Sequence, residues 1–305
     1  WSVSLSADGN TLAVGARQDD SSGNRSGSTQ IFTWNGTAWD QLGSDIDGEA
    51  ADDESGYSVS LSANGTTVAI GARRNDGNGN SSGHTRIYSW NGTAWNQLGS
   101  DIDGEAANDF SGISISLSND GNTVAIGAHK NDGNGSKSGH ARIYNWDGTT
   151  WSQLGNDIDG EASDDESGFS VSLAGNGTVV AVSAHQNDGN GTNAGHTRIY
   201  TWNGTTWNQL GNDIDGEAAN DESGYSVAIS NDGNTVAIGA RLNDGSGKNS
   251  GQTRIYNWNG TTWSQLGSDI DGEASDDESG FSVSLSDDGS TVAIGARQND
   301  GNGTN

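Results

Sequence analysis

Val3, Val59, Ile115, Val171, Val227 and Val283 stand 56 residues apart, with no insertion between copies. A chain with that regularity builds one structural unit many times, and each unit meets its neighbours in the same way. The 305 residues hold five full units, 1–56, 57–112, 113–168, 169–224 and 225–280, and a half-unit, 281–305. Trp1 opens in mid-pattern, so the chain is expected to be a fragment of a longer repeat array.

The second unit shows what is repeated. Tyr57–Leu61 alternates large apolar with small polar residues, the period-two mark of a strand. Ala63-Asn64-Gly65 is a tight turn. Thr67–Ala72 is a second strand, with Val68 and Ile70 on one face and only Ala69 and Gly71 on the other. A Gly/Asn/Asp loop over Arg73–Gly83 leads into a third strand, His84–Trp90. Asn91-Gly92 is a hairpin turn, because both residues tolerate positive φ. Trp95–Gly99 is the fourth strand, and Ser100–Ser111 an acidic connection to the next unit. Four short antiparallel strands per unit predict an all-β chain of propeller blades, six or seven if the ring closes. A bulky face opposite a small one lets identical sheets nest, burying what one sheet alone cannot.

The chain carries 41 acidic against 13 basic residues, a formal charge of −28. That balance excludes a nucleic-acid partner, which needs a basic surface. Bound divalent cations, solubility of a crowded array and adaptation to salt each account for it, and lysine occurs only at 130, 137 and 248. No cysteine is present, which removes disulfides and thiolate chemistry. No apolar run approaches the roughly 18 residues of a membrane span, so membrane insertion is not expected.

Ser55-Gly56-Tyr57-Ser58-Val59-Ser60, then Val68-Ala69-Ile70-Gly71-Ala72, then Ser82-Gly83-His84-Thr85-Arg86-Ile87-Tyr88 resemble the FG-GAP repeats of integrin α-subunit propellers. They are closer still to the FG-GAP repeats of secreted bacterial proteins. The resemblance implies a propeller, commonly seven-bladed, used for extracellular binding or display. Two departures bear on chemistry. Ser55-Gly56 stands where the family has Phe-Gly. The family's calcium loop between the first two strands is reduced to Ala7-Asp8-Gly9-Asn10, too short to wrap a cation.

Candidate calcium ligands lie instead in the acidic connections: Asp45, Asp47 and Glu49; Asp101, Asp103 and Glu105; Asp157, Asp159 and Glu161; Asp213, Asp215 and Glu217; Asp269, Asp271 and Glu273. Calcium takes six to eight oxygens, often from carboxylates around a glycine turn. A solvated Asp-Gly turn accounts for the same pattern and is the stronger reading. Tryptophan pairs flank every hairpin: Trp34 with Trp39, Trp90 with Trp95, Trp146 with Trp151, Trp202 with Trp207, and Trp258 with Trp263. They suit either aromatic platforms for sugar rings or cross-strand packing, with packing ahead. Eleven Asn-x-Ser/Thr sequons run from Asn24 to Asn302, and the hairpin residues Asn35, Asn91, Asn203 and Asn259 are the preferred glycosylation sites. His84, His140 and His196 recur without the Asp and Ser of a catalytic triad, and no unit stands out as an active site would.

The leading expectation is therefore an extracellular structural or adhesive protein, not an enzyme. Its partners are copies of itself, assembled through repeated blade interfaces into a fibre or surface layer. A lectin-like propeller that binds glycans through its Trp pairs is the alternative. Calcium is the one cofactor the sequence leaves open.

Overall fold

The computed structural model describes residues 1–301, so the sequon at Asn302 lies outside the described residues. The chain forms two compact units, one of Trp1–Asp132 with His140–Ile158, the other of Gly133–Gly139 with Asp159 onward. Each is built of the repeated antiparallel sheets expected of propeller blades. Among the described residues no helix is long and apolar enough to cross a membrane.

The first blade runs β1 (Ser2–Leu5), β2 (Thr11–Ala16), β3 (Ser28–Trp34), β4 (Trp39–Gln41) and β5 (Ile46–Asp47). β1, β2, β3 and β4 pair in sequence order, with Val3 opposite Val14, Leu12 opposite Phe32 and Trp34 opposite Trp39. β5 continues along the edge of β3 that β4 occupies, opposite β2, setting Thr29 against Ile46. The second blade repeats this as Ser58–Leu61, Thr67–Ala72, His84–Trp90, Trp95–Gln97 and Ile102–Asp103. The two-residue strand was hidden in the acidic connection, because a single isoleucine between aspartates carries no periodic signal. Burial of Ile102 pins the segment to the sheet.

The cores lie between blades. In the first unit Ala13, Ile31 and Ile46 of one blade pack on Val59, Leu61, Val68 and Ile70 of the next. Ala69, Ile87 and Ile102 then meet Ile115, Leu117, Val124 and Ile126 in the same way. In the second unit Ala181, Ile199 and Ile214 pack on Val227, Ile229, Val236 and Ile238. Each valine, leucine or isoleucine among them contributes about 1.5–3 kcal/mol on full burial. The small face of each blade is thus filled by the large face of its neighbour.

The serines of the first strands bond across the junction between blades. Ser4 Oγ accepts from the Leu61 N–H at 2.9 Å, and Ser60 Oγ from Leu117 N–H at 2.9 Å. Ser58 Oγ donates to the Gly112 carbonyl at 2.7 Å. These bonds carry polar groups across an otherwise apolar junction and fix the blades in register.

Candidate functional site

The acidic connections place their carboxylates in separate environments. The first aspartate of each segment faces its own blade: Asp101, Asp157 and Asp269 accept from the Gln97, Gln153 and Gln265 amides at 2.6 Å, and Asp45 and Asp213 from Gln41 and Gln209. At the second aspartate the backbone is used. The carbonyls of Asp47, Asp103, Asp159 and Asp215 accept from Arg86, Arg142, Arg198 and Arg254 of the following blade at 2.7–2.8 Å. Asp271 pairs in strand register with Gln252, and Glu273 is exposed. The glutamates Glu49, Glu105, Glu161 and Glu217 reach the same arginines at 3.3–3.7 Å. Burial, with Asp45 and Asp19 nearby, raises the Asp47 carboxyl above the usual range. Within one segment Asp45 and Asp47 stay near each other, whereas Glu49 turns to the arginine of the next blade. The short Asp8 turn likewise spends its carboxylate internally, accepting from Ser6 Oγ and the Asn10 N–H, which holds Asp8 down to about 2.

Convergence happens between segments. Glu49, His84 and Asp101 come together, as do Glu105, His140 and Asp157, and Glu161, His196 and Asp213, with ligand atoms within 4.8 Å of one another. These are candidate metal-ligand groups. The histidines are buried while their carboxylate partners open to solvent. Burial, reinforced by the Arg86 charge, pushes His84 down to about 4 against the pull of Asp101, so its imidazole is neutral at neutral pH. The signal was present in the sequence as fixed offsets, 35 residues from glutamate to histidine and 17 from histidine to aspartate in all three copies. Reading the histidines for a catalytic triad missed it.

The tryptophan pairs form tilted contacts with ring centroids 5.4–5.6 Å apart. Each pair faces itself across the hairpin: Trp207 stands opposite Trp202 in strand register, half-buried, with the two rings 5.4 Å apart. Trp146 meets Trp151, and Trp258 meets Trp263, at the same spacing. One ring of each pair therefore packs on the other, and the pairs are not open platforms on both faces. The second ring also reaches back one blade. Trp95, Trp151 and Trp263 donate their indole N–H to the carbonyls of Leu42, Leu98 and Leu210 at 2.7–2.8 Å. Gly43 keeps this approach open, since a Cβ there would meet the Trp90 and Trp95 rings at 2.8 and 3.0 Å. Between the blades this leaves a cavity of about 360 Å³ lined by Asp45, Asp47, Tyr88, Thr93 and Trp95. Its counterpart, about 340 Å³, is lined by Asp213, Asp215, Tyr256, Thr261 and Trp263. The tyrosines and threonines were not among the sequence candidates, because their place beside the preceding blade's acids exists only after blades stack.

Asn35, Asn91, Asn203 and Asn259 are exposed at the hairpin tips. Each side-chain oxygen accepts from the backbone two and three residues on, as in Asn91 with Thr93 and Ala94 at 2.9 Å. Asp147 does the same in the third blade at 2.8 Å. The turn therefore requires an Asx acceptor, and that requirement alone explains asparagine at these positions.

At the start of the first strands, aromatic rings alternate with cations. In the first unit Arg17 lies 3.7 Å over Trp1 and Arg73 4.0 Å over Tyr57. In the second unit Phe169, Tyr225 and Phe281 follow at 5.0 Å steps, with Arg241 4.1 Å over Tyr225. His185 replaces the arginine and stacks 4.0 Å from Phe169. Burial first, then the Arg241 charge, pushes His185 down to about 3. A native pKa below the unfolded value of about 6.5 means that the unfolded chain takes up the proton first. The stability contributed by neutral His185 is complete above about pH 6.5 and is lost as pH falls towards 3. His185→Arg restores the residue found at Arg241 and removes this loss. The stability gap between variant and wild type in urea titrations is expected to widen by about 2 kcal/mol between pH 7 and 5.

The FG-GAP repeat family matches residues 45–88, 101–144 and 214–256. Each match opens in the acidic segment of one blade and closes at the third-strand tyrosine of the next or beside it, so it spans the junction with its cavity. A search of curated proteins finds no match. Among solved structures, a Bacteroides uniformis protein provisionally named as a 6-phosphogluconolactonase is similar at 12% identity and TM-score 0.65, over 97% of this chain and 77% of that one. The periplasmic gluconolactonase PpgL of Pseudomonas aeruginosa is similar at 13% identity and TM-score 0.55, over 85% of this chain and 67% of that one. At such identity the likeness shows the fold alone. It nevertheless overturns the expectation that the chain is not an enzyme, since structures sharing this fold carry lactonase names and a fold does not fix function. The appeal to identical blades fails too: Phe110, Ile113 and His129 stand in the third blade where the second has Glu54, Tyr57 and Arg73.

Proposed function

We propose that this chain of FG-GAP repeats is an extracellular adhesive protein that binds glycans at its blade junctions. One observation carries the reading: the cavity of Asp45, Asp47, Tyr88, Thr93 and Trp95 recurs, three repeats on, with the same acids, tyrosine and tryptophan. Aromatic faces beside carboxylates and a hydroxyl suit a sugar ring, whose C–H face packs on a ring while its hydroxyls donate to acids. Volumes of 340–360 Å³ fall at the small end of ligand clefts and fit one or two sugar units. Repetition makes the binding multivalent, so weak sites gain avidity on a surface carrying many copies of the ligand. Self-association is consistent with the same design, because a face that fits the next blade also fits its copy in another chain. Calcium belongs to the reading only where a glycan's own oxygens complete the shell around Asp45 and Asp47.

Glycan-array binding of the full chain tests this. Tyr88→Phe and Thr93→Ala, with Tyr256→Phe and Thr261→Ala, remove polar groups from the two cavities and leave the Trp95–Leu42 bond intact. Binding is expected to fall at least about tenfold, with circular dichroism unchanged. Binding that is absent from wild type, or equal in the variant, overturns the proposal. Sedimentation of the same samples reports whether the chains self-associate.

A further inference from the structure

We infer that the three Glu–His–Asp groups at the blade junctions are binding sites for an imidazole-accepting transition-metal dication, with Zn²⁺ and Co²⁺ as probes. His84 Nδ1 lies 3.8 Å from Glu49 and 3.7 Å from Asp101. His140 Nδ1 stands at 3.9 Å from Glu105 and 3.7 Å from Asp157. These gaps are too long for hydrogen bonds, and both nitrogens are buried with no hydrogen-bond partner. The two side chains are 1% exposed, so the orphaned atom cannot turn to bulk water. An unpaired buried polar atom calls for an explanation. Two ligands each about 2.1 Å from one ion at the tetrahedral angle lie about 3.4 Å apart, so a metal closes these gaps with small side-chain shifts.

Neighbouring groups already orient the ligands. Arg86 takes Oε1 of Glu49 at 3.5 Å, which leaves Oε2 towards His84. Gln97 holds Oδ1 of Asp101 at 2.6 Å, which leaves Oδ2. Such supporting contacts fix ligand direction in metal sites. The remaining coordination positions open to solvent on the carboxylate side.

The repeat supplies its own comparison. In the fifth blade Gln252 occupies the histidine position, and its amide donates to Glu217, the counterpart of Glu49, at 3.1 Å and to Asp271, the counterpart of Asp103, at 3.4 Å. A glutamine there satisfies its own amide from neighbouring carboxylates, whereas Nδ1 of His84 and of His140 has no hydrogen-bond partner. One nitrogen and two carboxylates favour zinc-like ions over calcium, which takes oxygens.

The full chain, stripped with EDTA, is titrated with Co²⁺ and followed by its visible ligand-field bands. Three equivalents are expected, displaced by Zn²⁺ and unaffected by excess Ca²⁺. Replacing His84, His140 and His196 together by glutamine copies the Gln252 junction, so the variant is expected to fold and to lose the bands. Asp101→Asn with Asp157→Asn and Asp213→Asn, a milder change at solvent-open positions, is expected to weaken binding at least about tenfold. No bands and no saturation up to about 1 mM metal overturns the inference; so does binding that survives the glutamine variant. Asp213 also lines a proposed glycan cavity, but these readouts use no glycan, so either proposal fails without the other.

Discussion

Replacing Gly71 by alanine is expected to lower the stability of the first unit by about 1–3 kcal/mol, read as a fall in the urea midpoint at unchanged slope. Gly71 sits in the second strand of its blade, opposite Ser58. A Cβ there would collide with the Gly112 carbonyl of the next blade and with Ser58 Oγ. Gly15 faces the Gly56 carbonyl and Gly239 the Gly280 carbonyl in the same way. The obstruction is backbone, so no rotamer relieves it. The fourth blade shows how the collision is resolved when a side chain is present. Ser183 holds this position, and its first strand shortens to Val171–Leu173, with Ser170 out of the ladder that Ser58 enters. Ser183 Oγ instead accepts from the Ser170 N–H at 3.1 Å, while the Ser183 N–H keeps its bond to the Ser170 carbonyl at 3.0 Å. An alanine at 71 has no hydroxyl to replace the broken pairing, so its cost should exceed that of Gly71→Ser. Equal stability of Gly71→Ala and wild type would show that the junction is loose there.

Glu54→Ala is expected to cost about 2–3 kcal/mol. The carboxylate is fully buried among four arginines, hydrogen-bonded to Arg73 at 2.8 Å and to Arg25, with Arg74 and Arg17 at 3.5 and 3.7 Å. Burial by itself would raise its carboxyl; the Arg73 bond and the charges of Arg73, Arg74 and Arg17 outweigh it and hold the carboxyl below the usual range. Removing one partner of a buried pair costs about 3–5 kcal/mol. The arginines are 17–40% exposed, so solvent screens part of that loss. Glu54→Gln keeps the shape and one acceptor and should cost less than alanine, and added salt should narrow the difference. The third blade makes a different choice at this position. Phe110 stacks 5.7 Å from His129 and lies under Lys130 at 5.1 Å, so an aromatic face replaces the carboxylate. Glu54→Phe alone is no substitute, because Tyr57 and Arg73 already fill the space that Ile113 and His129 leave.

The acidic connections show where sequence reading ran out. Within one segment, Asp45, Asp47 and Glu49 look like a ligand set because they are close along the chain. The two-residue strand at Ile46–Asp47 turns them to different neighbours. Glu49 meets the next blade's His84, and Asp101 arrives from the far end of that blade. The residues that share one space recur at offsets of 35 and 17 residues and do not lie side by side in the sequence.

The 56-residue period, the four main strands of each blade and the nesting of a large face on a small one followed from the sequence alone. Strand alternation and Asn-Gly turns are local, and a repeated local pattern forces a repeated contact. Stacking decided the rest. The serine bonds between blades, the cavity over Trp95, the arginine cluster on Glu54 and the histidine groups all join residues of successive repeats. No periodicity within a unit reveals which side chains of two units share one space, because that depends on how far each sheet is offset from its neighbour.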